Sequence, residues 1–533
     1  ILNVKHFPYP PKALSDFLRQ SAWGNQPSGL YPSEGLSANV TPILEAIAAK
    51  YSLAQRNVLQ TVFSEQMHGA LTNAQQANIN LLGNPNAFTV VTGQQIHIGL
   101  GPAYVLYKIV SAINYCNHLK VAHPNRHFVP VFWMATEDHD VEEIAYFNVN
   151  QEKYTWDTSW TTAVGDMPTS DLTGLFDWLE VHLGGGEAVK LRIQSVRNLY
   201  MAPGATLAST TQHWLSELFG AFGLLVLDPR DVRLKQMAKP LFEDALQGDA
   251  MLEAFQLSTD ALKKSNQIPP AHVGQSLLFW MDEQRRVRIE KNADGFHTID
   301  GSLAWSADQM NQVVSSEDIK HLSPNVLLRP LYQQAILPCV AYVGGPSEYL
   351  YWLQTPKAFA LGDLVAPQLL HRKGGVILTP SQRKKLDKLQ LPMMSYFEEV
   401  ETLKQNIIAK ELGDNELLSS IDQTQSVLES QLKTLYGWKS PLLGEAKKQV
   451  DAFVKWNRKM GQSATDAFVE SKFSAETWGA IAQILTSNFS LTNPQERRIF
   501  WVQYYFLYGQ DWIDDLAKSV EYADHQAFFV VEP

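Results

Sequence analysis

Three segments of the sequence combine glycines with side chains that could bind or activate a substrate. The first runs from Thr92 to Pro102 and contains three glycines, two glutamines and a histidine. Glycine lets a backbone approach a ligand closely, and the N-terminus of a following helix favours an anion. The segment departs from the phosphate-loop pattern GxxxxGK(S/T), and Gly99-Leu100-Gly101 lacks the third glycine of the dinucleotide-binding pattern. Two interpretations stay open, a phosphate-binding loop or a tight turn from strand to helix.

The second segment is the tetrad Glu137-Asp138-His139-Asp140, which places three carboxylates beside one imidazole. A histidine among carboxylates can act as a general base toward an amine, with Asp138 or Asp140 fixing its tautomer. The same carboxylates could bind a divalent cation, and acidic residues are also favoured in the first turn of a helix. Because four ionisable groups exceed what a helix cap requires, a functional role is favoured, and His139 is the predicted base.

The third segment has two parts, Ser323 to Pro330 and Tyr342 to Glu348. Arg329 in the first part offers a planar fork of donors that matches a carboxylate or a phosphate, although it could also pair with an internal acid. Gly344-Gly345 in the second part precedes a predicted helix, so it repeats the arrangement of the first segment. The sequence therefore predicts an anion-binding arginine and a second close turn.

Each of these segments follows or contains a predicted β-strand. Strand, helix, strand is the repeating unit of a parallel sheet, so we predict an α/β fold with a doubly wound core. In such a sheet, ligands bind outside the carboxyl ends of the strands, which is where the three segments are expected to lie. The predicted strands are residues 88–92, 127–136, 223–227 and 340–343, and the predicted helices are residues 102–119, 231–246 and 347–361.

The periodicity of the remaining sequence predicts further units. Residues 1–85 are expected to form a helical N-terminal cap, and residues 86–380 the core, with insertions at about 148–210 and 247–320 that contain hairpins at 148–165 and 275–300. Apolar residues spaced three and four apart at 417–435 and 446–467 predict a helical coiled-coil arm over 381–475. Residues 476–533 are expected to form helices and a terminal strand that pack on the core.

Composition narrows the function classes. The chain has 533 residues and a formal net charge of −11, which argues against non-specific binding of nucleic acid or of an anionic membrane. Its two cysteines, Cys116 and Cys339, lie in no metal-ligand spacing and suit a reducing cytoplasm, with burial as small apolar side chains the favoured interpretation. No apolar run approaches the roughly 18 residues that span a bilayer. HExxH and GxSxG patterns are absent, and no metal ligands are predicted.

Four stretches of the sequence resemble one known family, in the same order. They are VVTGQQIHIGLGPAYVLYK, VPVFWMATEDHDVEEI, SPNVLLRPLYQQAILPCVAYVGGPSEYLYW and NPQERRIFWVQYYFLYGQDWIDDL. The sequence is similar to the bacillithiol-biosynthesis cysteine-adding enzymes, the BshC family. The resemblance covers most of the chain. It implies a Rossmann-type core like that of class I aminoacyl-tRNA synthetases, with inserted connecting segments, a C-terminal helical coiled-coil arm and a homodimer.

The resemblance also implies an activity. It implies a ligase that forms an amide bond between the carboxyl of cysteine and the amine of glucosaminyl-malate. The cofactor stays unassigned, and ATP or another adenine nucleotide is a candidate because the cysteine carboxyl must be activated. The implied catalytic residues are Glu137, Asp138, His139 and Asp140. The implied substrate- or nucleotide-binding residues are Thr92, Gly93, Gln94, Gln95, His97, Gly101, Asn325, Arg329, Gly344, Gly345 and Glu348.

The sequence departs from the family pattern at three positions. His97 and Ser347 stand where glycine is expected, and Gln334 stands where an acid is usual. The string His97-Ile98-Gly99-Leu100 resembles the HIGH signature of the synthetases, but it ends in leucine. Two alternatives stay open: an amino-acid-activating or nucleotidyltransferase enzyme with another acceptor, and a non-catalytic dimeric scaffold. Convergence of the three segments at one cleft would favour an enzyme.

Overall fold

The computed structural model describes residues 3–7, 39–67, 71–149, 152–412, 443–490, 494–520 and 528–532, with a few positions between 420 and 434. Its strands in chain order are β1 Asn3–Phe7, β2 Ala87–Gln94, β3 His127–Met134, β4 Tyr146–Val149, β5 Glu152–Thr155, β6 Leu225–Leu227, β7 Leu278–Met281, β8 Arg286–Asn292, β9 Gly295–Thr298, β10 Ala304–Trp305, β11 Leu322–Pro324, β12 Cys339–Gly344, β13 Gln368–His371, β14 Gly374–Ile377 and β15 Phe528–Glu532. Its α-helices span Thr41–Lys50, Leu53–Gln66, Asn73–Leu82, Ala103–Ala122, Thr173–Leu183, Glu187–Tyr200, Leu207–Phe219, Val232–Met237, Lys239–Gln247, Asp249–Lys264, Ala307–Ser315, Arg329–Ile336, Pro346–Trp352, Pro356–Leu361, Pro380–Leu386, Val400–Leu412, Leu443–Lys472, Ala475–Asn488, Gln495–Arg498, Val502–Tyr508 and Gln510–Ser519.

The core is a five-stranded parallel sheet with the order β13-β12-β2-β3-β6. The chain moves outward from β2 through β3 to β6, and then crosses to β12 and β13 on the other side of β2. The strand order therefore reverses between β2 and β12, which is the point at which open α/β sheets bind ligands. This order confirms the predicted α/β class with a doubly wound core.

Both faces of the core sheet are buried under helices. Along β3, Phe132 packs into one apolar core with helix Ala103–Ala122, and Trp133 packs into the opposite core with helix Arg329–Ile336. Successive side chains of a strand point to opposite faces, so a strand that is covered twice must be apolar throughout. The four predicted strands are confirmed for this reason.

Two predicted helices are each broken in two. The helix predicted at 231–246 is interrupted at Ala238, and the helix predicted at 347–361 is interrupted between residues 353 and 355. A proline lies in the first turn after each break, at Pro240 and Pro356. Proline has no N–H to donate to the preceding turn, and its ring clashes with that turn, so a continuous helix is disfavoured.

The insertions carry antiparallel strands, as their alternating sequence predicts. β4 and β5 form a hairpin over Tyr146–Thr155, which overlaps the first half of the hairpin expected at 148–165, and β7 to β9 form the hairpins expected at 275–300. The larger inserted sheet has the order β10-β9-β8-β7-β11. Since β11 leads directly to Asn325 and helix Arg329–Ile336, the inserted sheet positions the third segment.

The two ends of the chain meet in a separate small sheet with the order β1-β15-β14. The terminal strand predicted within residues 476–533 is confirmed as β15, which pairs antiparallel with β1 and parallel with β14. Within residues 1–85, which the sequence predicts as a helical N-terminal cap, helices occupy most of residues 41–82, and β1 is a strand that was not predicted. The partner of β1 lies at the far end of the sequence, so no local pattern predicts this strand.

The predicted arm region contains the helices Val400–Leu412 and Leu443–Lys472, which contact each other through an ion pair between Lys404 and Asp466. The apolar stripe predicted at 417–435 lies largely outside the described residues. In the stripe predicted at 446–467, Asn457 is buried, whereas Phe453 is 47% exposed. Among the helices of the described ranges, none combines the length and apolar character needed to cross a lipid bilayer.

Candidate active site

The carboxyl ends of β2, β3 and β12 open into a cleft of about 830 Å³. All three predicted segments line it, together with residues of the inserted sheet. The predicted site residues that reach the cleft are Gly93, Gln94, Gln95, Glu137, Asp138, Asn325, Arg329, Gly345 and Glu348. Distant parts of the chain therefore meet where the reversal of strand order places a ligand site.

Other predicted site residues do not line the cleft, namely Thr92, His97, Gly101, His139, Asp140 and Gly344. Thr92 is buried, and its Oγ1 donates to the carbonyl of Val343 at 2.8 Å. The carbonyl of Gly344 accepts from the backbone of Arg372 at 2.9 Å. Asp140 is exposed and accepts from the backbone N–H of Glu143 at 3.3 Å. Thr92, Asp140 and Gly344 therefore make contacts that hold strands and turns together.

Gly93 lies where β2 comes closest to β3. A Cβ atom at Gly93 would lie 2.9 Å from the carbonyl oxygen of Trp133 and 3.0 Å from its Cβ. Trp133 lines the cleft. The glycine therefore permits close packing of two core strands beneath the site.

We expect the substitution Gly93→Ala to lower the free energy of unfolding by about 1–3 kcal/mol, because the new methyl group overlaps backbone atoms that cannot rotate away. Urea unfolding followed by fluorescence measures this change. The matched control is Gly479→Ala, which lies within helix Ala475–Asn488 with open space around its Cβ position. The control should raise the free energy of unfolding by up to about 1 kcal/mol. Equal stability of Gly93→Ala and the unchanged protein would contradict the close-packing argument.

The backbone amides of the first segment are used within the protein. Gly99 N–H donates to the Tyr200 hydroxyl at 3.2 Å, and Ala103 N–H at the start of the helix donates to the carbonyl of Ile499 at 2.8 Å. Ile98 N–H donates to the carbonyl of Ile144 at 3.3 Å. A phosphate-binding loop needs such amides free. Of the two open interpretations, the tight turn from strand to helix is the one that these hydrogen bonds support.

His97 lies beneath this turn. It is 3% exposed, edge-on to the rings of Tyr146 and Phe500 at 5.9 and 6.1 Å, and its Nδ1 has no hydrogen-bond partner in the described residues. Burial lowers the pKa of His97 to about 4. The resemblance of residues 97–100 to the synthetase signature therefore does not bring this imidazole to the cleft, because the turn at Gly101 folds over its ring.

Gln95 joins two carboxylates at the cleft wall. Its side-chain amide donates to Asp138 Oδ2 at 2.7 Å and to Glu143 Oε2 at 2.6 Å. Burial would raise the pKa of Asp138, but hydrogen bonds from His139 and Gln95 lower it to about 2. Asp138 is therefore ionised at neutral pH. Two carboxylates that share one amide form a suitable binding site for an ammonium group.

Glu137 is held by a buried lysine. Its Oε1 forms an ion pair with the ammonium of Lys235, whose side chain is fully buried and also donates to the carbonyl of Leu322 at 2.5 Å. The other carboxylate oxygen of Glu137 accepts from Ser323 Oγ at 3.3 Å. The pair thus connects the acidic tetrad to β11, which makes Glu137 part of the cleft floor and not a free acid.

His139 lies at the rim of the cleft, with its side chain 45% exposed. Its Nδ1 is 3.1 Å from Arg286 Nη1 and 3.7 Å from Asp138 Oδ1. A guanidinium can only donate, so Nδ1 accepts in this contact. The lone pair of Nδ1 is therefore engaged by Arg286. In this arrangement Nδ1 contacts Arg286 more closely than Asp138, and the role of His139 as a general base oriented by Asp138 or Asp140 stays a prediction.

Arg329 projects into the cleft among aromatic rings. Its guanidinium carbon lies 5.7 Å from the ring centres of Tyr342 and Tyr351 and 6.0 Å from that of Trp133. Its Nη2 donates to the Tyr351 hydroxyl at 2.6 Å. In the described part of the chain, no carboxylate lies within ion-pair distance of Arg329. A cation with unpaired charge in a partly desolvated cleft is suited to an anionic ligand.

Asn325 and Glu348 shape the turns that flank Arg329. Asn325 Oδ1 accepts from the backbone N–H groups of Leu327 and Leu328 at 3.0 and 2.9 Å. Glu348 Oε2 accepts from Gly345 N–H at 2.8 Å. The amide of Gly345 is therefore already used, and the double-glycine turn does not repeat an anion-binding loop.

Several charged residues of the site were not predicted from sequence, namely Lys108, Lys235, Arg286 and Arg372. The sequence does contain an indication that Lys108 is important: it is a lone lysine in the apolar run of helix Ala103–Ala122, and a buried lysine needs a partner. Arg372 lies beside the cleft and pairs with Glu496 at 2.5 Å. Arg286 and Arg288 alternate along β8, and only the fold shows that both line the cleft.

In the described residues, no group of three or more His, Cys, Asp or Glu side chains is arranged to hold a metal ion. Cys116 and Cys339 are both buried, and burial raises the pKa of each thiol to about 12. Neither residue lines the cleft. The sequence interpretation of two small buried side chains fits this placement.

The sequence of this chain is similar to one family of known proteins. Residues 35–373 match the family model described as bacillithiol biosynthesis BshC, N-terminal Rossmann-like domain. Three curated relatives carry the name "Putative cysteine ligase BshC". The Flavobacterium psychrophilum protein is 31% identical over 84% of this chain and 83% of its own length. The Cytophaga hutchinsonii protein is 32% identical over 74% and 75%, and the Christiangramia forsetii protein 29% identical over 88% and 87%.

The match covers the β2 turn, the acidic tetrad, Arg329 and the β12 turn within one Rossmann-like domain. The same parts of the chain form the cleft at the reversal of strand order. The chain therefore belongs to the BshC family of bacillithiol biosynthesis.

Proposed function

We propose that this chain is a cysteine ligase of bacillithiol biosynthesis, which forms an amide bond between the carboxyl of cysteine and the amine of glucosaminyl-malate. The names of the relatives support this activity. The observation that carries the proposal is that one cleft contains both an arginine without an acidic partner, Arg329, and a pair of carboxylates held by one amide, Asp138 and Glu143 on Gln95.

The two substrates carry groups that match these features. Both contain carboxylates, which suit the planar fork of Arg329. Both contain an amine that is protonated in water, which suits Asp138 and Glu143. The amine must lose a proton before it attacks a carboxyl carbon. Because Asp138 has a pKa of about 2 and is a weak base, we assign the proton to Glu143, the other carboxylate at the same amide.

Amide formation also requires an activated carboxyl group, and ATP or another adenine nucleotide is the candidate from family resemblance. The fit of a nucleotide to the first segment is poor, because the amides of Ile98, Gly99 and Ala103 donate within the protein. An anionic co-substrate would instead meet the side chains of Arg286, Arg288 and Arg497, which line the cleft. We therefore assign no step to the nucleotide.

Reconstitution tests the activity. Purified protein is incubated with ATP, cysteine and glucosaminyl-malate, and the cysteinyl product is measured by mass spectrometry. Serine and alanine in place of cysteine, and glucosamine in place of glucosaminyl-malate, serve as controls. Product with cysteine alone among the amino acids supports the proposal. Equal product with several amino acids would favour a general amino-acid-activating enzyme, and unchanged bacillithiol in cells that lack the protein would reject the pathway assignment.

The proposal extends to the quaternary structure. We infer that the core is of the class I synthetase type, that residues 381–475 form a coiled-coil arm, and that a homodimer forms in the cytoplasm. On helix Leu443–Lys472, Phe453, Trp456 and Met460 are 47, 54 and 41% exposed and lie three to four residues apart. Exposed apolar side chains on one face of a helix support a contact with a second copy.

We expect Trp456→Glu to convert the dimer to a monomer at micromolar concentration, because a charge would be buried in the helix contact. Light scattering after gel filtration measures the mass. Lys455→Glu, one residue away on the exposed side of the same helix, is the control and should leave the mass unchanged. A dimer that persists in Trp456→Glu places the interface elsewhere.

A further inference from the structure

Lys108 lies directly beneath the cleft on helix Ala103–Ala122, and its side chain is 0% exposed. Its ammonium group contacts three acceptors: the carbonyl of Gly93, Gln94 Oε1 at 2.8 Å and Glu348 Oε2 at 2.6 Å. An ammonium has three donors, so each donor has a partner. Gly93 and Gln94 are the last two residues of β2, and Glu348 lies in the first turn of helix Pro346–Trp352, which follows β12. One buried cation thus joins the end of β2 to the start of the helix after β12, across the reversal of strand order.

Glu348 carries this connection to β12 and to the start of the helix after it. Its Oε1 accepts from the Tyr342 hydroxyl at 2.7 Å, and its Oε2 accepts from Gly345 N–H at 2.8 Å. Tyr342 is one of the rings around Arg329. Burial would raise the pKa of Glu348, but Lys108 and the donated hydrogen bonds hold it below its ordinary value. The carboxylate is therefore fixed within the framework of the site while its side chain also lines the cleft, and the binding role that the family resemblance implied stays a prediction.

We propose that Lys108 is a positioning residue of the ligase. It fixes the end of β2 relative to the helix that follows β12, and so sets the position of the aromatic rings around Arg329. The catalytic part of this inference rests on the proposed function. The structural part does not, because it concerns the charge of Glu348 and can be measured without substrate.

Charged and titratable groups of several elements face Glu348. They are Lys108 and Tyr104 from helix Ala103–Ala122, Tyr342, Tyr351 and Arg329 around the β12 turn, and His371 and Arg372 from the end of β13. Lys108 is the only cation of this group in direct contact with Glu348 among the described residues. Its removal leaves a carboxylate that is only 21% exposed, with two arginines at longer range. Desolvation should then raise the pKa of Glu348 above its value in the unfolded chain.

Thermal unfolding against pH tests the structural part. In the unchanged protein, the pKa of Glu348 is lowered by folding, so its contribution to stability is present at neutral pH and is lost as the pH falls below about 4.5. In Lys108→Met the sign reverses, and the Tm should fall as the pH rises from about 4 to 8. Lys108→Met/Glu348→Gln has neither charge and should lack this fall. Parallel pH curves for the two variants would overturn the proposal.

Activity tests the positioning part. We expect Lys108→Met to lower kcat/KM by about 10- to 100-fold, because small displacements of a site cost that much. The double variant should recover the Tm at neutral pH but not kcat/KM, since Gly93 and Gln94 still lack their shared partner. Recovery of both would show a merely structural lysine and reject the proposal. Lys404→Met, which breaks a partly buried ion pair with Asp466 away from the cleft, is the control and should keep kcat/KM. Should Lys108→Met not fold, the double variant alone decides the question.

If the protein without substitutions shows no ligase activity, the proposed function is rejected. The pH dependence of thermal stability would still test the Lys108–Glu348 ion pair. The two failures can therefore be told apart.

Discussion

Arg329→Met is expected to abolish most of the ligase activity while leaving the fold intact. Loss of one partner from a buried, hydrogen-bonded charge pair costs roughly 2–5 kcal/mol, much of it from the charge left unpaired. That range corresponds to a loss of about 30-fold to several thousandfold in kcat/KM. The Tm should change little, because Arg329 makes no ion pair with the described residues and donates only to Tyr351 and Gln333.

Steady-state kinetics with each substrate varied in turn measures this effect. If Arg329 binds a substrate carboxylate equally well in the ground state and the transition state, the loss falls on the KM of that substrate. Arg329→Lys keeps the charge but loses the planar fork, so its activity should lie between that of Arg329→Met and that of the unchanged protein.

Arg197→Met is a matched control for this prediction. Arg197 pairs with Asp177 at 2.7 Å in the helical insertion and does not line the cleft. Its removal should change kcat/KM by less than about twofold, as is usual for a surface ion pair. Kinetics of Arg329→Met that match those of this control would mean that the anion binds elsewhere in the cleft.

The strands of the core could be predicted from sequence because burial on both faces leaves a local mark. Residues 127–134 must be apolar at every position, since Phe132 and Trp133 face opposite cores. The position of the cleft followed from the same reasoning, because loops after parallel strands meet at one edge. Both predictions depend on short-range pattern and on topology, and both are confirmed.

The roles of individual side chains could not be predicted in the same way. Glu137, His139 and Glu348 have their decisive partners in Lys235, Arg286 and Lys108, each nearly 100 or more residues away in sequence. A carboxylate held by a buried ammonium and a free carboxylate look alike in sequence. Glycine at positions 99 and 101 likewise indicates a turn, but only the fold shows where the amides of that turn donate.

The His139–Arg286 contact gives the second large expected effect. Arg286 Nη1 donates to His139 Nδ1 at 3.1 Å, and the same guanidinium donates to Ser323 Oγ at 3.1 Å and to the carbonyl of Pro324 at 3.2 Å. It also lies 4.0 Å above the ring of Phe279. Arg286 therefore joins the inserted sheet to the rim of the core and presents a cation to the cleft.

We expect Arg286→Met to lower kcat/KM by about 100-fold, because misplacement of the cleft wall and loss of its charge act together. His139→Ala should lower it by less than about tenfold, because the lone pair of Nδ1 is engaged by Arg286. The neighbouring residue Arg285 pairs with Asp282 and Asp300, so Arg285→Met is the matched control and should stay near the unchanged value.

The pH dependence of kcat/KM separates the two roles of His139. A general base contributes about 10²- to 10⁴-fold, and its removal also deletes an ionisation from the profile. If His139→Ala loses that much and its profile loses a limb, the histidine is the base, and the contact with Arg286 must break during turnover. The profile of His139→Ala could instead keep its shape while kcat/KM falls further in Arg286→Met than in His139→Ala. In that case His139 positions Arg286, and the carboxylates held by Gln95 accept the proton of the amine.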